Sequence, residues 1–268
     1  MKAFYRWTDL TWEEIGVAAK GENTVVVIPV GSVEQHGPHL PVQTDTQIVS
    51  GIAERAVKKA SETILALLVP TIAIGCSKHH MEFPGSLTLS EETFVRAVTE
   101  IGLSIAHHGF RRILFLNGHG GNEAPLQLVV NRIRHETDGK VLAGTAAYWR
   151  FIREEVQEIR RSKMGGISHA GEFETSAILA LDASLVDMSK AKKFLPKWSN
   201  GYFMPGWYVP TKIGLGFHLN DITQTGVVGD PTVATKENGE RFLEAATIAV
   251  AKFIEAFASW EFSNLYEG

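Results

Sequence analysis

Residues 26–45 read VVIPVGSVEQHGPHLPVQTD. The stretch opens inside an apolar run, Val25–Val30, with the β-branched composition of a strand buried on both faces. The run breaks at Gly31 into a loop punctuated by Pro38 and Pro41, which carries Glu34, His36, His39 and Asp45. In an open α/β sheet the crevice past the carboxyl ends of the strands is where ligands bind. Glu34 and His36 are two apart, so in extended backbone both side chains point to one side. Asp45 precedes a helical pattern, Ile48, Ile52, Ala53 and Ala56, which puts it at a helix N-terminus with its carboxylate free to face the same crevice. Taken singly, each has an ordinary structural reading: a solvated carboxylate, a turn histidine, an N-cap. Their conjunction directly past a core strand, with matching residues further along, points instead to one site.

The next apolar run, Ile64–Val69 and Thr71–Ile74, predicts a second strand bent at Pro70, which cannot donate to a ladder. The loop-like stretch Gly75–Ser86 follows it, so Ser77 and His80 either line a site or stabilise a turn. Ser90 opens a helix to about His108, stopped by Gly109, and His107 and His108 suit its dipole. The third strand, Arg112–Leu116, runs into NGHGGN at residues 117–122. His119 therefore stands to its strand as Glu34 and His36 stand to theirs. Gly120 and Gly121 offer bare backbone N–H groups, and Asn122 reads as the N-cap of the next helix. The motif lacks the Lys-Ser/Thr of a phosphate-binding loop.

A fourth strand is expected over about Val141–Ala147, then Tyr148, Trp149 and a charged helix, Phe151–Arg161. Past the Gly165-Gly166 break, SHAGEFETS at 168–176 leads into a helix over Ala177–Leu181 and supplies His169 and Glu174 as an acid/base or ligand pair. Glu172 and Glu174 diverge on a helix, so only one faces the crevice. The aromatic segment 190–230, with Trp198, Tyr202, Phe203, Trp207 and Tyr208, suits a lid or a subunit contact. A helix over about 232–258 closes the chain, and near its start Thr11 caps a short helix with an acidic first turn. Strands alternating with helices predict one α/β domain over residues 1–268 with a largely parallel sheet.

Composition narrows the class. At 268 residues, 44% hydrophobic and 21% charged, the chain is an ordinary globule able to bury a full core. A net charge of -4 without a basic run argues against a nucleic-acid partner. The single cysteine, Cys76, excludes an internal disulfide framework and a cysteine-rich zinc site, and fits a reducing compartment. Neither a secretion signal nor a membrane span is read, so a cytoplasmic protein is expected.

Glu34, His36, Asp45, His119 and Glu174 make an oxygen- and imidazole-rich set without thiolate, suited to Zn, Mn or Fe rather than calcium. Three carboxylates and two imidazoles exceed the needs of one catalytic zinc and match two divalent ions sharing a carboxylate. Such a pair lowers the pKa of a water toward neutrality and polarises the carbonyl to be attacked. His169 is the candidate to protonate the leaving group, because imidazole titrates near working pH. The N–H groups at 120–121 are placed to help hold a developing oxyanion.

VGSVEQHGPHLPVQTD, SKHHMEFPGS, LNGHGGN and SHAGEFETS together resemble the creatininase (creatinine amidohydrolase) family, over about residues 25–180. The resemblance implies a three-layer α/β/α sandwich, a binuclear divalent-metal site, hydrolysis of amide-type bonds and a hexamer. It matches Glu34, His36, Asp45 and His119 to metal ligands, His169 to the proton-transferring histidine, and Glu174 to a site glutamate carried over as a ligand. Creatininases proper resemble NGHYEN at the third motif; their tyrosine contacts substrate and their glutamate serves the metals. This chain has Gly120 and Gly121 there, so Glu174 takes over the missing carboxylate. Of two substrate-stacking tryptophans, one aligns with Trp149 and the other falls near Gly165. Creatinine is therefore not the expected substrate. The family also includes deformylases, peptide-trimming enzymes and a hydrolase that opens a cyclic keto-inositol.

The expectation is a metal-dependent amidohydrolase of a small cyclic amide or formamide, with Trp149, Gly120, Gly121, His80 and Ser77 against the substrate. Water-driven opening of a keto-inositol or sugar ring is the alternative within the same metal chemistry. A non-catalytic subunit using the metals for assembly is a third reading, disfavoured because His169 is spare to a structural site.

Overall fold

The computed structural model describes residues 5–195 and 212–261. In chain order the main elements are α1 (Trp12–Ala18), β1 (Val25–Val30), α2 (Thr44–Ala60), β2 (Ala66–Leu68), α3 (Glu91–His107), β3 (Arg112–Asn117), α4 (Glu123–Glu136), β4 (Leu142–Ala147), α5 (Arg153–Ile159), α6 (Glu172–Asp182) and α7 (Lys236–Phe257). The strands form a parallel sheet in the order β2-β1-β3-β4. β1 is buried along its whole length, and its side chains alternate between two cores. Val25 and Val27 pack with α2, α6 and α7, while Val26, Ile28 and Val30 pack with α1, α3 and α4. β3 divides in the same way, Leu114 and Leu116 against Ile113 and Phe115. Two-sided burial is why these strands read as unbroken apolar runs. The architecture is the expected three-layer α/β/α sandwich.

The strand order positions the site. From β1 the chain crosses to β2 on one side, and from β3 to β4 on the other. The crossovers diverge between the carboxyl ends of β1 and β3, which is the switch point where such sheets bind ligands.

Local differences from the sequence reading have identifiable causes. The second strand is only Ala66–Leu68; past Pro70 the chain stays beside β1 through a single bridge, Val30 to Ile72. Helix α2 begins at Thr44, two residues before the start expected at about 46, with Gln43 at the cap position, so Asp45 lies inside the first turn. Helix α6 begins at Glu172 rather than Ala177, which carries Glu174 into its first turn. Thr11 caps α1 in a reciprocal box with Glu14. Asn122 does stand at the start of α4, but its side chain makes no cap bond. Its amide oxygen accepts from Cys76 N at 2.9 Å and its amide nitrogen donates to Gly31 O at 3.0 Å. A buried amide thus ties the loops after β1, β2 and β3 together. All five aromatics singled out in the 190–230 segment, from Trp198 to Tyr208, lie outside the described residues.

Candidate metal centre

Each polar side chain of the site hangs from a carboxyl end of the sheet or from the first turn of a helix. Glu34 and His36 follow β1, His119 follows β3, Asp45 sits in the first turn of α2 and Glu174 in that of α6. All five are buried, Glu34, His36 and Glu174 completely. The loop after β1 is held by Glu34 N donating to Val42 O at 2.8 Å and Leu87 N donating to Val33 O at 2.8 Å. Glu34 and His36 both reach the centre from this loop.

The side chains converge on one another. His36 Nε2 lies 3.0 Å from Asp45 Oδ1 and 3.5 Å from Glu174 Oε1. His119 Nδ1 lies 2.9 Å from Asp45 Oδ2, and its Nε2 is 3.2 Å from Glu34 Oε2. Two groups of potential ligand atoms result, Glu34/Asp45/His119 and His36/Asp45/Glu174, each drawn within 4.8 Å. A third group links Glu34, His36 and His169. Among the described residues, Glu34 Oε1, Asp45 Oδ2 and Glu174 Oε1 are buried and accept no hydrogen bond of good geometry. Buried carboxylate oxygens left without donors are costly, and a cation satisfies them. The donor set, nitrogen and oxygen without sulfur, fits divalent transition metals.

Electrostatics follow from burial and crowding. Burial pushes the Glu34 carboxyl up, but the His119 and His80 imidazoles outweigh it and hold it well below the usual carboxylate range. Burial lowers His36 and His119, but carboxylates outweigh it at each: Asp45 and Glu174 raise His36 well above its ordinary value, and Glu34 with Asp45 lifts His119 to about 10. Glu174 is pushed up to about 7, by burial first. His169 is driven well below the ordinary imidazole value by burial and the His36 charge. Neutral at pH 7, it has a free lone pair.

His169 stands beside the centre, its ring 4.3 Å from that of His36 and its Nδ1 3.8 Å from Glu34 Oε1. Ala170, next in the chain, has φ 55°, a strained conformation for a residue with a Cβ. It aims Ala170 N at Glu174 Oε2, leaving Oε1 for the centre. Glu172, two residues before Glu174, instead accepts from Arg161 N and Ser162 N at 2.8 Å each, so the two carboxylates do diverge.

Ser77 donates to Glu34 Oε2 at 2.5 Å, and His80 Nε2 lies 3.2 Å from Glu34 Oε1, so both reach the centre. Gly120 faces open space, whereas a Cβ on Gly121 would meet Cys76 O at 2.2 Å and His119 Nε2 at 2.5 Å. The backbone at 121 is thus pressed against the centre and has no room for a side chain. Trp149 is buried in the core, edge-to-face with Tyr148 at 5.1 Å between ring centroids. Two buried contributors escaped the sequence reading. Ser32 donates to Glu34 Oε2 at 3.1 Å, and Gln35 contacts both His80 and His169. Gln35 is a polar amide between two ligand candidates, and that placement was the available signal.

Carboxylates and imidazoles buried around oxygens that lack donors, at the switch point of a parallel sheet, define a candidate site for divalent metal ions. The chain belongs to the creatininase family: residues 8–254 match the creatinine amidohydrolase family. It is 34% identical over 226 residues to the mycofactocin precursor peptide peptidase of Mycobacterium tuberculosis, covering 82% of this chain and 80% of that one. It is 28% identical over 264 residues to the creatinine amidohydrolase of Pseudomonas putida, covering 92% and 94% respectively. A solved structure of a glutamate-to-glutamine creatininase mutant, of Zn-Zn type, superposes with a TM-score of 0.78 at 26% identity, covering 96% of this chain and 98% of that one.

Proposed function

We propose that this chain is a binuclear amidohydrolase that cleaves the C–N bond of an amide in a small molecule or short peptide. The observation that carries the reading is the shared carboxylate. Asp45 belongs to two ligand groups at once, with Glu34 and His119 on one side and His36 and Glu174 on the other. Those five residues would hold two divalent ions, Zn, Mn or Fe. When bound, the ions supply Lewis acidity, which makes a water nucleophilic at neutral pH and polarises the scissile carbonyl.

The rest falls to the protein. The loops after the strands bury the centre, and exclusion of bulk water strengthens every charge interaction within it. His169, neutral and with Nδ1 toward Glu34, takes a proton from the attacking water and returns it to the leaving nitrogen. Glu174, its Oε2 held by Ala170 N, keeps Oε1 turned toward the centre and orients the site beside His36. The N–H groups of Gly120 and Gly121 are offered to the carbonyl oxygen, while Ser77 and His80, held against Glu34, line the same space as substrate contacts. The open space at Gly120 admits a bulkier acyl part than a tyrosine there would, which favours amides larger than creatinine. Trp149 is carried as a substrate contact on the resemblance alone. A cytoplasmic homohexamer is the proposed setting, without nucleic acid or membrane as partner; no described helix is long and apolar enough to cross a membrane.

The test is amine release from a panel of amides, formamides and short peptides by the metal-loaded chain. Keto-inositols serve as the contrasting substrates, since their ring opening yields acid without amine. Amine release supports the proposal; acid formation from keto-inositols alone overturns the choice of bond.

A further inference from the structure

We infer that Gln35 is a positioning residue that locks His169 and His80 as Nε2–H tautomers, so that His169 presents a bare Nδ1 to the centre and His80 a fixed N–H. The argument is a count of donors and acceptors. Gln35 is buried, and its orientation is set by two backbone groups that cannot change role. Gly37 N donates to Gln35 Oε1 at 2.9 Å, and Gln35 Nε2 donates to Gly226 O at 3.2 Å. Flipping the amide would set donor against donor at Gly37 and acceptor against acceptor at Gly226. Gly226 itself must lack a side chain: it has φ +76°, and a Cβ would fall 1.8 Å from Gln35 Oε1.

With the amide fixed, its second hydrogen has two imidazoles in reach, His80 Nδ1 at 3.1 Å and His169 Nε2 at 2.9 Å. The main chain decides between them. His169 Nε2 also lies 2.9 Å from Gln35 O, and a carbonyl only accepts. His169 Nε2 therefore carries hydrogen and donates to that carbonyl, leaving the amide hydrogen to His80 Nδ1. The opposite assignment strands Gln35 O against a lone pair and makes one bond fewer. His80, accepting at Nδ1, must hold its hydrogen on Nε2, the atom 3.2 Å from Glu34 Oε1. His169 Nδ1 is bare, in keeping with its 3.8 Å separation from the same oxygen, too long for a hydrogen bond. One glutamine thus places a proton acceptor and a proton donor side by side, their rings 4.6 Å apart. The catalytic consequence rests on the proposed hydrolysis; the tautomers do not.

The experiment is two-bond 15N–1H correlation of the histidine rings in the 15N-labelled full chain, metal-free and zinc-loaded. Signals are assigned through His80→Gln and His169→Gln. Nε2–H patterns at both rings are expected, and an Nδ1–H pattern at either overturns the inference. In Gln35→Glu, which offers His80 only an acceptor, His80 should leave the Nε2–H form while His169 keeps it. Gln35→Met serves as the second variant, removing the partner without adding charge. Both should lower kcat about tenfold or more, with KM changed less than about threefold, as expected for groups that orient site residues. An unaltered His80 spectrum in both variants, or kcat unchanged in both, contradicts the assignment. If the wild-type chain hydrolyses nothing, the proposed function falls while the ring spectra still decide the tautomers.

Discussion

His36 and His119 face opposite oxygens of one carboxylate, at 3.0 Å from Asp45 Oδ1 and 2.9 Å from Asp45 Oδ2. The two histidines come from loops after different strands, and Asp45 comes from the helix between them. The switch point of the sheet is thus closed by a single bidentate group, and both ligand groups depend on it.

Asp45→Asn should therefore empty both ion positions, while Glu174→Gln should empty only the one it shares with His36. Elemental analysis of the purified variants reads the difference. Equal metal content in the two variants would contradict the shared-carboxylate arrangement.

His169→Ala should keep its metal and lose turnover by about 100-fold or more, the usual worth of a general acid/base. Single-turnover rates together with metal content check this. A variant that loses metal and activity in step would make His169 a ligand rather than the proton carrier.

The pH dependence of the metal-free fold has a definite sign. Burial alone would lower His119, but Glu34 and Asp45 raise it from 6.5 to about 10. The folded state then binds more protons than the unfolded chain between those values. Its stabilisation is fully present below pH 6.5 and is lost as pH rises through 10. Metal ions require neutral imidazoles, so their uptake should release protons and tighten as pH rises. Thermal melts of chelator-treated protein, with calorimetry in buffers of different ionisation enthalpy, measure both effects. A metal-free Tm that climbs over that window would refute the ion pairing.

Gly121→Ala and Gly120→Ala should part company. The first meets Cys76 O and His119 Nε2 well inside contact distance, and the second meets nothing within 4 Å. Overpacking of this kind costs about 1–3 kcal/mol, so Gly121→Ala should lower Tm by several degrees and weaken metal binding. Gly120→Ala should leave stability unchanged. Similar melting curves for the two would show that the loop yields freely.

Much of the fold was legible because β1 and β3 are buried on both faces and leave unbroken apolar runs in the chain. The ligand candidates were legible because each lies directly past such a run or in a helix's first turn. What stayed hidden depended on partners distant in sequence. Asn122 looked like a cap because the Cys76 and Gly31 groups it joins are 46 and 91 residues away. Gln35 went unremarked because its role lies in contacts with His80, His169 and Gly226. The start of α6 was placed late because SHAGEFETS has a break-like opening, whereas Gly171 and Glu172 already turn into the helix.

The most direct measurement is the metal stoichiometry of the wild-type chain, by mass spectrometry under native conditions after loading with zinc or manganese and removal of excess. The shared Asp45 predicts two ions per chain, lost together in Asp45→Asn. A wild-type chain that holds one ion or none would contradict the binuclear centre.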